Sequence, residues 1–188
     1  MDALVSHTLI QRCLEEDRRA QSELYRILYK SLIGLCWRYA SDKEQAIEYM
    51  NIGFVRILLN LKQYKPDVPF EMWARRVTIN TIINEFRKNK NWNEKVVRNH
   101  DNLMRSDADE YDLSEHQQEL LDLVRSKALK LPPMTLKVFN MYAIDGYQHT
   151  EIAEMLGISE GTSAWHYSDA KKKIRQMLGL NLAKASNE

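Results

Sequence analysis

Apolar residues recur along this chain at spacings of three and four and almost never alternate, the period of helices packed on one face. Leu24, Ile27, Leu28, Leu32 and Leu35 mark one such face. Ala46, Tyr49, Met50, Phe54, Ile57, Leu58 and Leu61 mark a second, with Gly53 as an expected interruption, since glycine costs about 1 kcal/mol in a helix interior. In the stretch YKPDVPF, Pro66 and Pro69 must break the helix, because each removes a donor and forces its predecessor extended. A third helix is predicted from about Glu71 to Lys90, with Trp73, Val77, Ile79, Ile82, Ile83 and Phe86 as its apolar positions. From Asn91 to about Ser114 the pattern dissolves into polar, acidic, aperiodic sequence, which reads as a flexible linker. Helical period resumes at HQQELLDLVRSKALKL, and Pro132-Pro133 sits where the first turn of the next helix tolerates proline. That helix stops near Gly146. The expected fold is all-α: two small helical domains, 1–92 and 117–188, joined by an acidic flexible linker, 93–116.

The most specific local signal is TEIAEMLGISEGT, residues 150–162. Ile152, Ala153, Leu156 and Ile158 form an apolar set, with Ala153 small where two helices would cross. Gly157 suits a left-handed turn, and Ser159 can cap a following helix with Glu160 at its positive end. This is the layout of a helix-turn-helix, whose second helix enters the DNA major groove. An ordinary helical hairpin is the competing reading. On the second helix, Thr162, Ser163, Trp165 and His166 lie in the half that reaches base edges, and Lys171 and Lys172 suit phosphates. Tyr167 stands seven residues before Ile174, which places it on the inward side.

Composition narrows the functional classes. The chain has 188 residues, 44% hydrophobic and 28% charged, as expected of a soluble globular protein with one substantial core or two small ones. The net charge of +1 hides a division: residues 1–90 carry +4, residues 91–122 carry −6 and residues 123–188 carry +3. Cys13 and Cys36 stand alone, without the spacing of a disulfide framework or metal site, and reduced thiols imply a cytoplasmic setting. No run of apolar residues is long enough for membrane insertion. The five histidines are scattered, with no HExxH, P-loop or GxSxG, so no catalytic residue, metal or cofactor is expected.

The order of helical bundle, acidic linker and helix-turn-helix, with YKPDVPFEMWARRVTINTIINEFRKNK closing the bundle, resembles bacterial sigma factors of the extracytoplasmic-function group. Tyr64, Pro66, Pro69, Phe70, Trp73, Val77, Asn80, Asn84 and Arg87 occupy places matching that family's pattern. The resemblance implies that the first domain recognises and melts the −10 promoter element, with Tyr64, Phe70, Trp73, Arg76, Asn80, Asn84, Arg87 and Lys88 as DNA-contacting residues. Aromatic rings interleaved with cations suit single-stranded DNA. Phe70 and Trp73 serve equally well as core residues stapling the loop to the bundle. The segment EQAIEYMNIGFVRIL matches the family's docking helix for the clamp coiled coil of core RNA polymerase, through Glu48, Asn51, Phe54 and Arg56, although Asn51-Ile52 replaces the usual Gln-Glu. The second domain would read the −35 element through Thr162, Ser163, Trp165, His166, Lys171 and Lys172. Ala164, His166 and Asp169 stand where relatives carry cations, which implies an altered −35 preference, with Asp169 repelling phosphate. The partners implied are core polymerase and promoter DNA, double-stranded and melted, and the resemblance leaves open an anti-sigma factor. The acidic linker would thread toward the RNA exit path or act as a solvated tether. The alternative is a stand-alone regulator of the LuxR type, which TEIAEMLGIS also resembles. If Trp165 faces DNA, Trp165→Ala lowers promoter-specific binding while circular dichroism keeps its helical signal; a collapse of that signal identifies Trp165 as core.

Overall fold

Eight α-helices account for most of the residues described by the computed structural model, which are 5–88 and 115–180. They form two units that divide between residues 111 and 112. The expected linker lies outside the described residues except for its last two positions, which belong to a helix beginning at Glu115.

The first unit contains α1 (His7–Leu14), α2 (Arg18–Tyr39), α3 (Lys43–Asn60) and α4 (Phe70–Lys88), with a short 3₁₀ turn at Leu61–Gln63. Each of the first three helices starts at a side-chain cap that satisfies otherwise orphaned amides. Ser6 Oγ accepts from Leu9 N–H at 3.2 Å, Asp17 accepts from Arg19 and Ala20, and Asp42 accepts from Gln45 at 2.8 Å. Arg12 reaches from α1 to Asp17 with two hydrogen bonds, of 3.0 and 2.7 Å, which, with the amides, hold that carboxyl below its ordinary range. The periodicity around the long helices does not reveal α1; it is short, and its buried Leu9, Ile10 and Cys13 follow no longer repeat. The core is built from Leu24, Leu28, Leu32 and Leu35 of α2, Met50 and Ile57 of α3, and Ile79, Ile82 and Ile83 of α4, all with almost no exposure. Cys36 lies in the same interior, where burial pushes its thiol up to about 12, so the thiolate that would react is suppressed.

Gly53 does not interrupt α3, contrary to the expectation from propensity. The helix runs through it because α4 crosses there: a Cβ at position 53 would stand 2.9 Å from Thr78 Cγ2 and 3.2 Å from Thr78 Oγ1. Thr78 is itself fixed, being fully buried, β-branched and hydrogen-bonded to the Ala74 carbonyl at 2.9 Å. The glycine thus gives up helix propensity for a close helix crossing.

The second unit contains α5 (Glu115–Ala128), α6 (Pro133–Phe139), α7 (His149–Leu156) and α8 (Glu160–Met177). Pro133 opens α6 as its missing N–H permits, and a π-helical turn at Asn140–Ile144 follows. Between α7 and α8 lies the expected turn: Gly157 is left-handed at φ 67°, and Ser159 caps α8 by accepting from Thr162 N–H at 3.0 Å. The Gln148 N–H donates to the Glu151 carboxylate at 2.8 Å and closes the start of α7.

The crossing at Gly53 makes a measurable prediction. Gly53→Ala destabilises the chain by about 1 kcal/mol or more in denaturant titrations, because overpacking outweighs the gain in propensity. In a Thr78→Ala background the same change stabilises, by up to about 1 kcal/mol. A double-mutant cycle without this change of sign removes the steric explanation.

Candidate nucleic-acid interface

The outward stripe of α4 carries Trp73, Arg76, Asn80, Asn84 and Arg87 at helical spacing, because Thr78, Ile79, Ile82, Ile83 and Phe86 turn the opposite side into the core. Between this stripe and the C-terminal half of α3 lies a groove of about 420 Å³, into which Trp73, Asn80, Asn84 and Lys88 project from α4, and Arg56 and Asn60 from α3. Trp73 is half-buried and Asn80, Asn84 and Arg56 are exposed. Lys88 pairs with Glu85 at 2.8 Å. The groove offers an aromatic wall, two amides and cationic side chains, a chemistry that suits single-stranded DNA.

Before α4, Tyr64, Phe70 and Trp73 form a triangle of rings with centroids 5.0, 5.4 and 5.5 Å apart. The Tyr64 hydroxyl donates to the Val68 carbonyl at 2.9 Å and closes the proline loop. Of the two roles open to Phe70, the structure gives it the core one: it is buried, and it holds the loop to the bundle while Trp73 remains available to the groove.

The four expected docking residues do not share a face. Glu48 and Asn51 lie on the exposed side of α3, where Asn51 accepts a hydrogen bond from Tyr25 Oη at 2.9 Å. Phe54 instead points inward, with its ring edge-on to Tyr25 at 5.0 Å, and Arg56 turns to the α4 groove. What continues the Glu48–Asn51 stripe is Val55, 54% exposed, and Leu59, 67% exposed. Sequence reasoning passed over both, although their i+7 and i+11 spacing from Glu48 puts them on that line.

On α8 the expected reading residues also separate. Trp165 is 61% exposed, and Thr162, Lys171 and Lys172 are exposed as well. Ser163, expected to face DNA, has no exposure; its hydroxyl is hydrogen-bonded to His149 Nδ1 at 2.9 Å and ties α8 to α7. It stands two residues before Trp165, and 200° of helical rotation puts it on the opposite side. His166 is half-buried, with Nδ1 hydrogen-bonded to Thr135 Oγ1 of α6 at 3.0 Å, and burial first of all lowers its pKa, which keeps the ring neutral at pH 7. Tyr167 does turn inward, against Tyr142 at 4.4 Å, and Tyr142 stacks on His149 at 4.2 Å. Asp169 does not confront DNA as a lone negative charge: Lys173 lies 2.7 Å away and offsets it. Lys171 sits 4.6 Å over the Tyr167 ring, which orders it beside the outward line of Trp165, Ser168 and Lys172. Ser168 is a surface position that sequence reasoning missed.

Comparison with known proteins finds a family match in each unit. The family model described as Sigma-70 region 2 matches residues 24–91, and that described as Sigma-70, region 4 matches residues 114–174. Together they take in about two thirds of the chain. The chain belongs to the sigma-70 family, in the two-region form of its extracytoplasmic-function group, and is a factor that directs promoter-specific transcription initiation. Among curated proteins, the ECF RNA polymerase sigma factor SigW of Bacillus subtilis (strain 168) is 24% identical over 184 residues, 90% of this chain and 94% of that protein. Among solved structures, CnrH in complex with the cytosolic domain of CnrY aligns at a TM-score of 0.47 and 19% identity, covering 93% of this chain and 97% of that one. The family-model and curated-protein matches lend no support to the LuxR-type alternative. Among the described residues, no helix is long and apolar enough to cross a membrane.

Ser163→Ala costs about 1–2 kcal/mol of stability in the second unit, since His149 Nδ1 loses its partner. Below the unfolding transition, promoter affinity stays within about twofold of the parent, as for any residue acting only through the fold. A promoter-binding titration beside a thermal melt separates these outcomes, and a selective loss of binding returns Ser163 to the DNA.

Proposed function

We infer that the first domain opens the −10 element and the second reads the −35 element in duplex form. The observation that carries this reading is the α3–α4 groove, where Trp73, Asn80, Asn84, Lys88 and Arg56 converge on a domain matching region 2. With one aromatic wall and two amides, a groove of about 420 Å³ suits an unstacked base and its phosphate better than stacked base pairs. Stacking on an aromatic side chain is worth about 1–3 kcal/mol per base, comparable to the cost of unpairing one. Asn80 and Asn84, one helical turn apart, supply donors and acceptors to edges that melting exposes. Arg56 belongs with this strand-holding set. Docking on the clamp coiled coil of core polymerase falls to the Glu48–Asn51 stripe, with Val55 and Leu59 extending it as apolar contacts. The protein works in the cytoplasm with the polymerase and needs no cofactor for these steps.

The test is transcription with core enzyme alone. The full chain and core polymerase form a stable complex and yield promoter-specific run-off transcripts without another initiation factor. Failure to bind core overturns the assignment. Within that complex, Asn80→Ala impairs promoter opening, read as permanganate-reactive thymines, far more than it impairs polymerase binding. Equal loss of both makes Asn80 a folding residue.

A further inference from the structure

The outward surface of α8 carries a peculiar set of side chains for a helix that reads bases. Its two N-terminal turns, Glu160 to Tyr167, contain no Arg, Lys, Asn or Gln, the residues that make bidentate hydrogen bonds to guanine or adenine. Exposed there are Glu160, Gly161, Thr162, Ala164 and Trp165, and the Thr162 hydroxyl is already engaged with Ser159 Oγ at 2.8 Å. Cations on α8 start only at Lys171.

Two further observations show what this surface is built for. Gly161 is not required by its own fold: its φ is ordinary, and an added Cβ would meet nothing closer than Ser159 Oγ at 3.9 Å. A glycine there sacrifices helix propensity without an internal reason, so the missing side chain leaves room for an approaching surface. Trp165, although 61% exposed, is braced on one side. Its indole packs edge-on to His166, with centroids 4.9 Å apart at 71°, and His166 Nδ1 is hydrogen-bonded at 3.0 Å to Thr135, which is itself buried in α6. A large apolar side chain held through two residues to the core loses little further freedom on contact.

We propose that Gly161, Ala164 and Trp165 form an apolar reading head that selects thymine 5-methyl groups in the major groove of the −35 element, with Thr135 and His166 as its positioning residues. The thymine methyl is the one apolar group on a major-groove base edge, and a helix without bidentate donors gains specificity by burying it. Gly161 lets the start of α8 come close enough for the indole to cover the methyl. The proposal rests on the assignment of α8 as the −35 reader.

The experiment uses holoenzyme assembled from the full chain and core polymerase, on a promoter defined by the transcripts that it makes. Each thymine of the −35 element, on both strands, is replaced in turn by deoxyuridine, which removes only the methyl group. Binding falls about three- to fivefold at one or more positions, the value of one buried methyl group. Trp165→Ala holoenzyme binds thymine DNA more weakly and does not distinguish uracil from thymine. His166→Ala narrows the same discrimination with the helical signal retained, and Gly161→Ala weakens binding while raising the melting temperature. Indifference of the parent to uracil at every −35 position, with transcription intact, overturns the proposal and leaves the −35 assignment standing. Discrimination that survives in Trp165→Ala, or dependence on a guanine N7 revealed by 7-deazaguanine, overturns it too. An absence of promoter-specific transcripts removes the assignment beneath it, a result visible before any base is replaced.

Discussion

The distance between α3 and α4 at the point where Gly53 meets Thr78 governs the first domain. With a hydrogen in place of a methyl group at position 53, the two backbones approach closely enough that Arg56 and Asn60 on one helix and Trp73, Asn80 and Asn84 on the other line a common groove. Interiors are packed too tightly for such a contact to be relaxed locally, so separating the helices would alter the groove as well as the core. The isoleucines at 79, 82 and 83 orient α4, and the orientation presents both asparagines outward. Site and core are thus two sides of one packing arrangement.

In the second domain polar and aromatic contacts share the work of an apolar core. Ile152, Ala170 and Ile174 are buried, but the rotation of α8 is also defined by the His149–Ser163 and Thr135–His166 hydrogen bonds and by the stack of Tyr142 on His149. Directional contacts fix a helix about its own axis, which burial alone does less sharply, because hydrophobic attraction has no preferred angle. For a helix that must present one narrow line of side chains to a groove, that rotational definition is what matters. It also explains why two residues with the chemistry of DNA contacts, Ser163 and His166, are engaged elsewhere.

Much of this was legible beforehand. The long helices, the proline loop, the turn at Gly157 and the cap at Ser159 all follow from local rules, in which a residue's conformational preference acts over three or four neighbours. The resemblance residues Tyr64, Phe70, Trp73 and Asn80 marked the region of the groove. Less legible was where each side chain ended. Phe54 and Arg56 are two residues apart on one helix, and both fit a docking motif read as a string, yet one entered the core and the other the groove. Val55 and Leu59 look like core residues by composition and prove to be exposed. Gly53 looks like a break because propensity sees only the helix that contains it, and α4 is the partner that makes glycine necessary.

The all-helical class, the positions of the turns and caps, and the kind of chemistry on each segment follow from the residues alone, since these depend on contacts within a few positions. Which of those chemical groups meet depends on how the helices pack. Helical period gives relative angles around an axis but no origin, and the origin is set by the neighbour that the helix packs against. For α3 that neighbour is α4 at Thr78; for α8 it is the pair of helices that supply His149 and Thr135.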